Sequence, residues 1–520
     1  MRVRANAVRV CDGAAIHMAR GLVMSIVVLV LLAAIRVEAI ADRPLAVDHS
    51  TEMYFPPIAQ QMWGDCTCFS SCYYYCTYTQ ARDEGLDAST ADPNVVCSPA
   101  FLFALIAQGG WGAVCTEHAM ARLSDVGCAT MAQHPYPTEP WGGDPTLWPT
   151  EAAWIAALKN RLGTFYQIRA DNPTGLETIK QHIADGGCAV TRAYFHENYG
   201  DYDYCGDTST PTGPGISNYV MYSPGGTPPL FPHSICICGY DDDRSYYDVR
   251  DGHTHYGAFL IANSEGQNWG WYNSTGTGTR GFIWVAYTMF PEGEMGWYDP
   301  PPEEWPGVDA CVDNPPYPEV YYHDDRPDYR PQLYAVAGIN YGSRNLLTFS
   351  GGVGPTDAPE FIGPEAIEQT DEGAIAINHS RRPAVDLTDG ISLIPRGATR
   401  NVFISLALDA SGSGAAGITS CEFYCDFDGD EVYTVVPGEM SSTVYVWPGT
   451  TGYVSASVTN PLVPGDVDSD GDVDLADLAE LLSNYGMTSG AEYDDGDLDG
   501  DGDVDLSDLA ELLGNYGAGT

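Results

Sequence analysis

The sequence predicts an α+β unit, then a β-sandwich, then a small all-α module, along 520 residues. Three observations lead there. Residues 52–290 alternate amphipathic helical stretches with short strand-like runs. From 320 to 460 apolar residues alternate with small or polar ones between Gly/Pro turns, the pattern of a sandwich. Beyond that, a twelve-residue acidic loop followed by an apolar helical stretch occurs twice. The length exceeds what one core can hold, and 57 Gly with 36 Pro favour loops and strands over long helices.

The first 41 residues read as an export signal. Arg2, Arg4, Arg9 and Arg20 form a basic start, "GLVMSIVVLVLLAAI" an apolar centre, and "AIA" at 39–41 a small-residue cleavage site. The apolar run is short for a membrane anchor, and no later segment is apolar enough to span a bilayer. The remainder is therefore expected to be secreted or held at a cell surface. The formal charge is −48, and Lys159 and Lys180 are the only lysines. Such a surface repels nucleic acid and anionic lipid and suits divalent cations. Of 15 cysteines, Cys11 leaves with the signal. In an exported chain most of the others should be paired or buried, in a connectivity the sequence leaves open.

Within 42–290, "CTCFSSCYYYCTYTQ" places Cys68, Cys72 and Cys76 at i, i+4 and i+8, one stripe of a helix. Small buried residues under a packed helix explain that stripe better than a metal site, because no histidine joins it. "TEHAMARLSDVG" and "GLETIKQHIADGG" are amphipathic helices closed by Gly. "CAVTRAYF", "HSICICGYD", "GAFLIANS" and "RGFIWVAYTMF" read as strands. Residues 291–319 form a Pro-rich linker. The sandwich, 320–460, contains the alternating runs "NVFISLALD", "STVYVWP" and "GYVSASVT".

The tail, 464–520, carries the clearest repeat. "DVDSDGDVDLAD" returns as "DLDGDGDVDLSD". Asp466, Asp468, Asp470, Asp474 and Asp477 occupy positions 1, 3, 5, 9 and 12 of the first loop; Asp497, Asp499, Asp501, Asp505 and Asp508 match them in the second. Asp472 and Asp503 complete the candidate ligands, and Gly at position 6 permits the sharp turn. This is the oxygen-ligand spacing of a calcium loop, so two Ca2+ ions are expected. The pair resembles dockerin repeats, EF-hand-like calcium modules that attach one protein to another. The resemblance implies a docking partner, cohesin-like or at the cell surface, and a bacterial setting. Positions 10 and 11, Leu475-Ala476 and Leu506-Ser507, are less polar than is usual where dockerins meet cohesins.

Three further segments carry a second resemblance. "QQMWGDCTCFS" (60–70) supplies Gln60, Gly64, Cys66, Phe69 and Ser70; "HSICICGYD" begins at His233; "LIANSEGQNWGW" contains Asn263. In this order and spacing the chain resembles the papain-like cysteine peptidases. "GGWGAVCTEHAMARLSDVGCATMAQHPY" (109–136) and "HIADGGCAVTRAYF" fit the same pattern. The resemblance implies a two-lobed catalytic domain over 42–290, with Cys66, His233, Asn263 and Gln60 as catalytic residues, no cofactor for catalysis, and protein or peptide substrates.

The chemistry requires these residue types. A thiol is mostly protonated near neutrality, so a nucleophilic cysteine needs a positive neighbour and a helix N-terminus. The helix after Cys66 is expected to lower its pKa. His233 would hold Cys66 as a thiolate–imidazolium pair and later protonate the leaving amine. Asn263 would orient the ring, and Gln60 with the Cys66 N–H would donate to the oxyanion. The family's main specificity pocket would be built around Gly109-Gly110 and the residues flanking His233. Pro232 there carries no charge, which points to an apolar substrate side chain. Thr67 and Glu265 stand where the family usually has indoles, and Trp63 replaces a usual cysteine. The alternative is a papain-fold binding or adhesion protein at the cell surface that has lost activity.

Overall fold

The computed structural model describes residues 43–520 except 108–113, 140–141, 145–146, 196–215, 224–230, 268, 270–280, 291–318, 369–375, 428, 430, 462, 469–470 and 519–520. The segment expected to be an export signal, Gly109-Gly110, nearly all of the expected linker and Asp470 lie outside the described residues.

The first unit packs helices against one nine-stranded sheet. Its central helix runs as a short α-turn, Cys66–Cys68, a π-helical stretch, Phe69–Cys76, and an α-segment, Thr77–Glu84, closed by Gly85 at φ +67°. Around it lie Pro99–Ile106, Thr116–Asp125 and Glu151–Leu158. Ser98 caps the first of these by accepting from Phe101 N–H, with Pro99 at the position where a missing N–H costs nothing. Pro173–Ala184 repeats the device with Asn172. Gly127, just past Thr116–Asp125, has φ +75°, and a Cβ there would meet the Ala157 carbonyl at 2.1 Å. Two helices approach closely there because this residue is glycine.

In the sheet, Ala189–Phe195, Phe231–Asp248, His253–Ala262 and Phe282–Ala286 lie side by side and antiparallel. All four expected strands are present. Two further strands extend the sheet. Phe165–Arg169 pairs with Glu319–His323, which also pairs with Ala189–Phe195. The sandwich boundary at 320 is therefore corrected: Glu319–His323 belongs to the first unit, its side chains Val320 and Tyr321 buried in that unit.

Residues from 333 onward form two antiparallel sheets. One orders Ala384–Asp386, Leu333–Asn340, Ala416–Cys425 and Thr434–Pro437, with Val444–Val446 also on Ala416–Cys425. The other orders Phe361–Ile362, Leu347–Val353, Thr399–Leu408 and Thr450–Thr459. Val454, Ala456 and Val458 point inward while the residues between them face outward, so period-two alternation sets the buried face. The sandwich packs on the helical side of the first unit. Arg161 and Asp386 form a buried ion pair at 2.7 Å across that boundary, and Arg381 donates to the Trp148 carbonyl.

The tail contains helices Leu475–Asn484 and Leu506–Asn515. Each starts with a capping box, Asp474 with Asp477 and Asp505 with Asp508. Val467, Val473, Leu481, Val504 and Leu512 form its small core. Among the described residues no helix is long and apolar enough to cross a membrane.

Candidate functional site

Cys66 is the first residue of the central helix, after Asp65 at the N-cap. Among the described free cysteines it alone is half-buried; Cys68 and the others are fully buried. That separates Cys66 from its neighbour two residues on, which points into the core.

His233 lies on the strand behind the helix, in register with Ala193. Its Nε2 is 2.6 Å from Asn263 Oδ1. The same Oδ1 accepts from Ser264 N–H at 2.8 Å, which fixes the amide's orientation. Oδ1 can only accept, so Nε2 carries the proton and Nδ1 is the basic atom of the neutral ring. Both His233 and Asn263 are buried.

Residues far apart in sequence hold this arrangement together. Ser70 Oγ meets Ser234 Oγ at 2.7 Å, tying helix to strand beside His233. The Tyr74 hydroxyl donates to Asn263 O at 2.8 Å and accepts from Ala59 N–H at 3.1 Å. The 59–61 segment pairs with 264–266: Gln60 bridges Glu265, Gln61 N–H donates to Ser264 O at 2.7 Å, and Gly266 N–H to Ala59 O at 3.1 Å. Gly266 has φ +82°, and a Cβ there would sit 3.3 Å from Gln60 Cβ. Glycine is needed where the Gln60 side chain crosses the Asn263 turn. Of the expected site residues, Gln60 and Asn263 thus belong to paired segments, and Cys66 and His233 to the helix and strand tied together by Ser70 and Ser234.

The electrostatics depart from expectation. Burial pushes the Cys66 thiol up to about 11, with the charges of Asp65 and Glu265 adding to the rise and the Ser234 and Thr67 N–H groups opposing it. Burial pulls His233 down, opposed by Glu265 and the Asn263 hydrogen bond. The expected lowering of the thiol by the helix is outweighed by the effect of burial. Burial thus acts against the charged form of both groups.

Sequence reasoning missed several participants. Asp65 is fully buried and driven up to about 7 by that burial; its Oδ1 accepts from Tyr136 hydroxyl at 3.1 Å and its Oδ2 has no partner. Only "GDC" marked it in the sequence. Thr67 donates to Val114 O at 2.9 Å, and Trp63 donates to Gly142 O at 3.0 Å while packing on Phe103 and Tyr136. Both substituted positions therefore do structural work beside the helix.

In the tail, Asp466, Asp468 and Asp477 converge within 4.8 Å, as do Asp472, Asp474 and Asp477. The second loop repeats this with Asp497, Asp499 and Asp508 and with Asp503, Asp505 and Asp508. Asp477 also accepts from Val467, Asp468 and Asp474 N–H groups, and Asp508 from Leu498, Asp499 and Asp505. Asp503 Oδ1 is buried without a partner. An all-oxygen donor set with an orphaned carboxylate oxygen fits a hard divalent cation. Asp501 takes no part in these clusters and accepts from Asp503 N–H.

No family profile matches the chain, and no curated protein matches it. Solved structures do. Xylellain, a cysteine protease from Xylella fastidiosa, is 16% identical over 50% of this chain and 85% of that one, with a TM-score of 0.35. Procathepsin B S9 from Trypanosoma congolense is 13% identical over 55% and 79%, with a TM-score of 0.35. The bromelain protease from Ananas comosus, in complex with the E64 inhibitor, is 16% identical over 47% and 89%, with a TM-score of 0.31. The similarity to papain-like cysteine proteases thus spans about half of the chain.

Proposed function

We propose that the chain is an exported cysteine endopeptidase with a calcium-dependent docking tail. The observation that carries this reading is the half-buried Cys66 at a helix start, in front of a strand whose His233 is held by Asn263 at 2.6 Å. In this reading Cys66 gives its proton to His233 as the sulfur attacks a peptide carbonyl. The oxyanion accepts from the Cys66 N–H and the Gln60 side chain, contacts that strengthen as charge develops. The imidazolium then protonates the leaving amine, and water, deprotonated by the same ring, hydrolyses the thioester. Substrates are proteins or peptides.

The tail would hold two Ca2+ ions through the aspartates of its two loops, the ions supplying the countercharge that lets the carboxylates converge. It would dock the enzyme to a cohesin-like or cell-surface partner.

A second reading, an inactive papain-fold adhesion protein, is favoured by one observation: burial disfavours both members of the ion pair. An epoxysuccinyl peptide decides between them. Stoichiometric labelling of Cys66 in the purified protein, abolished in Cys66→Ala and kept in Cys68→Ala, is expected for the enzyme. Absence of labelling at every pH would overturn the enzyme and favour the adhesion protein.

A further inference from the structure

A cavity of about 30 Å³ lies where the sandwich meets the helices of the first unit. Arg122 and Trp148 line it from the first unit, and Arg344 from the sandwich. These three side chains are 6%, 7% and 5% exposed. Each presents a buried N–H group without a hydrogen-bond partner: Arg122 Nε, Trp148 Nε1 and Arg344 Nη1. Buried donors are ordinarily satisfied, so three such N–H groups on one cavity point to a missing acceptor.

Charge points the same way. Arg122 is balanced by Asp125 at 2.5 Å and Glu368 at 3.2 Å. Arg344 is not. Its Nη2 donates to the Ala104 carbonyl at 2.6 Å and its guanidinium lies 4.3 Å from the Trp148 ring centre, both neutral partners. Burial pulls that guanidinium down to about 10, with Asp144 alone acting against it. A buried cation without an ion-pair partner is costly, and an anion in the cavity would remove the deficit.

We propose that this cavity binds a halide ion, chloride or bromide, accepting from Arg344, Arg122 and Trp148 together. A single water needs about 10–15 Å³ of such space, so the cavity suits a monatomic ion better than a carboxylate or phosphate ligand. The remaining polar wall contains His118, Asn345 and Glu368, and Glu368 is already engaged by Arg122. Because the donors come from both units, the ion staples the sandwich onto the helical lobe. This site is independent of the peptidase reading.

The test uses the full chain. At constant ionic strength, replacing gluconate by chloride or bromide should raise the thermal midpoint by about 2 °C for each tenfold rise in halide. Trp148→Phe, which keeps a ring but removes the donor, should weaken that dependence, and Arg344→Met should abolish it. Crystals grown in bromide should show an anomalous peak between Arg344 and Trp148, a result independent of how the variants fold. Water density alone at that position, or a halide effect equal in all three proteins, would overturn the proposal.

Discussion

Two carboxylates flank Cys66 and act in different ways. Asp65 is fully buried, its Oδ2 lacks a partner, and burial drives it up to about 7. A carboxyl raised above its unfolded value stabilises the fold fully only below about pH 4. That contribution is lost as pH rises towards 7, by on the order of 4 kcal/mol. Asp65→Asn keeps the acceptor for Tyr136 and cannot ionise. Its unfolding free energy should stay level between pH 4 and 7 while that of the parent falls; parallel curves would show that Asp65 is already satisfied. Glu265 acts on the chemistry. Its charge is the foremost influence raising His233 and the least of those raising Cys66. Glu265→Gln should therefore lower the alkaline limb of kcat/KM, where the imidazolium is lost, with a smaller shift of the acidic limb. An unchanged profile would mean solvent screens Glu265. His233 and Asn263 were legible because each sits inside a local pattern. Asp65, Ser234 and Tyr74 were not, because their partners lie 71, 164 and 189 residues away.

The central helix shows how periodicity under-determines an element. The sequence marks Cys68, Cys72 and Cys76 as one helical face. The structure winds Phe69–Cys76 as a π-helix and buries all eight of its residues, Tyr73, Tyr74 and Tyr75 included. An element surrounded on every side has no polar face to reveal its pitch. The strands Phe165–Arg169 and Glu319–His323 escaped for a related reason: each has five residues and no turn signal tied it to the sheet. The helix also answers part of the cysteine question. Cys72 and Cys128 sulfurs are 2.7 Å apart, and Cys76 and Cys97 sulfurs 3.6 Å, all four buried. With a small-molecule disulfide as oxidant, each pair should lose two protons and two electrons to form a cross-link. The cross-links fasten the helix behind Cys66 to the segments at 97 and 128, and each should stabilise the fold by about 3–4 kcal/mol. Peptide mapping under non-reducing conditions should recover Cys72–Cys128 and Cys76–Cys97. Recovery of Cys97–Cys128, or of four free thiols after complete oxidation, would contradict this pairing.

At the scale of the whole molecule, composition hides how the parts of the chain join. One continuous apolar core contains Trp154 and Leu162 of the first unit with Leu333 and Val385 of the sandwich, and the buried Arg161–Asp386 pair lies at the same boundary. Sequence alternation specifies the buried face of each strand but carries no information on what a finished sandwich rests against. The tail makes a similar contact, and it separates two loops that look equivalent in sequence. Arg396 of the sandwich reaches Asp466 at 3.2 Å, at position 1 of the first loop. Nothing equivalent meets Asp497 among the described residues, where Oδ1 and Oδ2 accept only from backbone N–H groups of the same loop. A guanidinium on Asp466 competes with a cation for the same carboxylate, so binding in the first loop must displace it. Calorimetry on the full chain should therefore resolve two calcium-binding events, the second loop filling first. Arg396→Gln removes the competitor and should bring the two affinities together by tightening the weaker one. Asp508→Asn should instead remove the tighter event and leave the weaker. Equal affinities in the parent, or an Arg396→Gln variant with an unchanged gap, would mean that this contact yields to calcium without cost and that the loops act as the equivalent pair their sequences suggest.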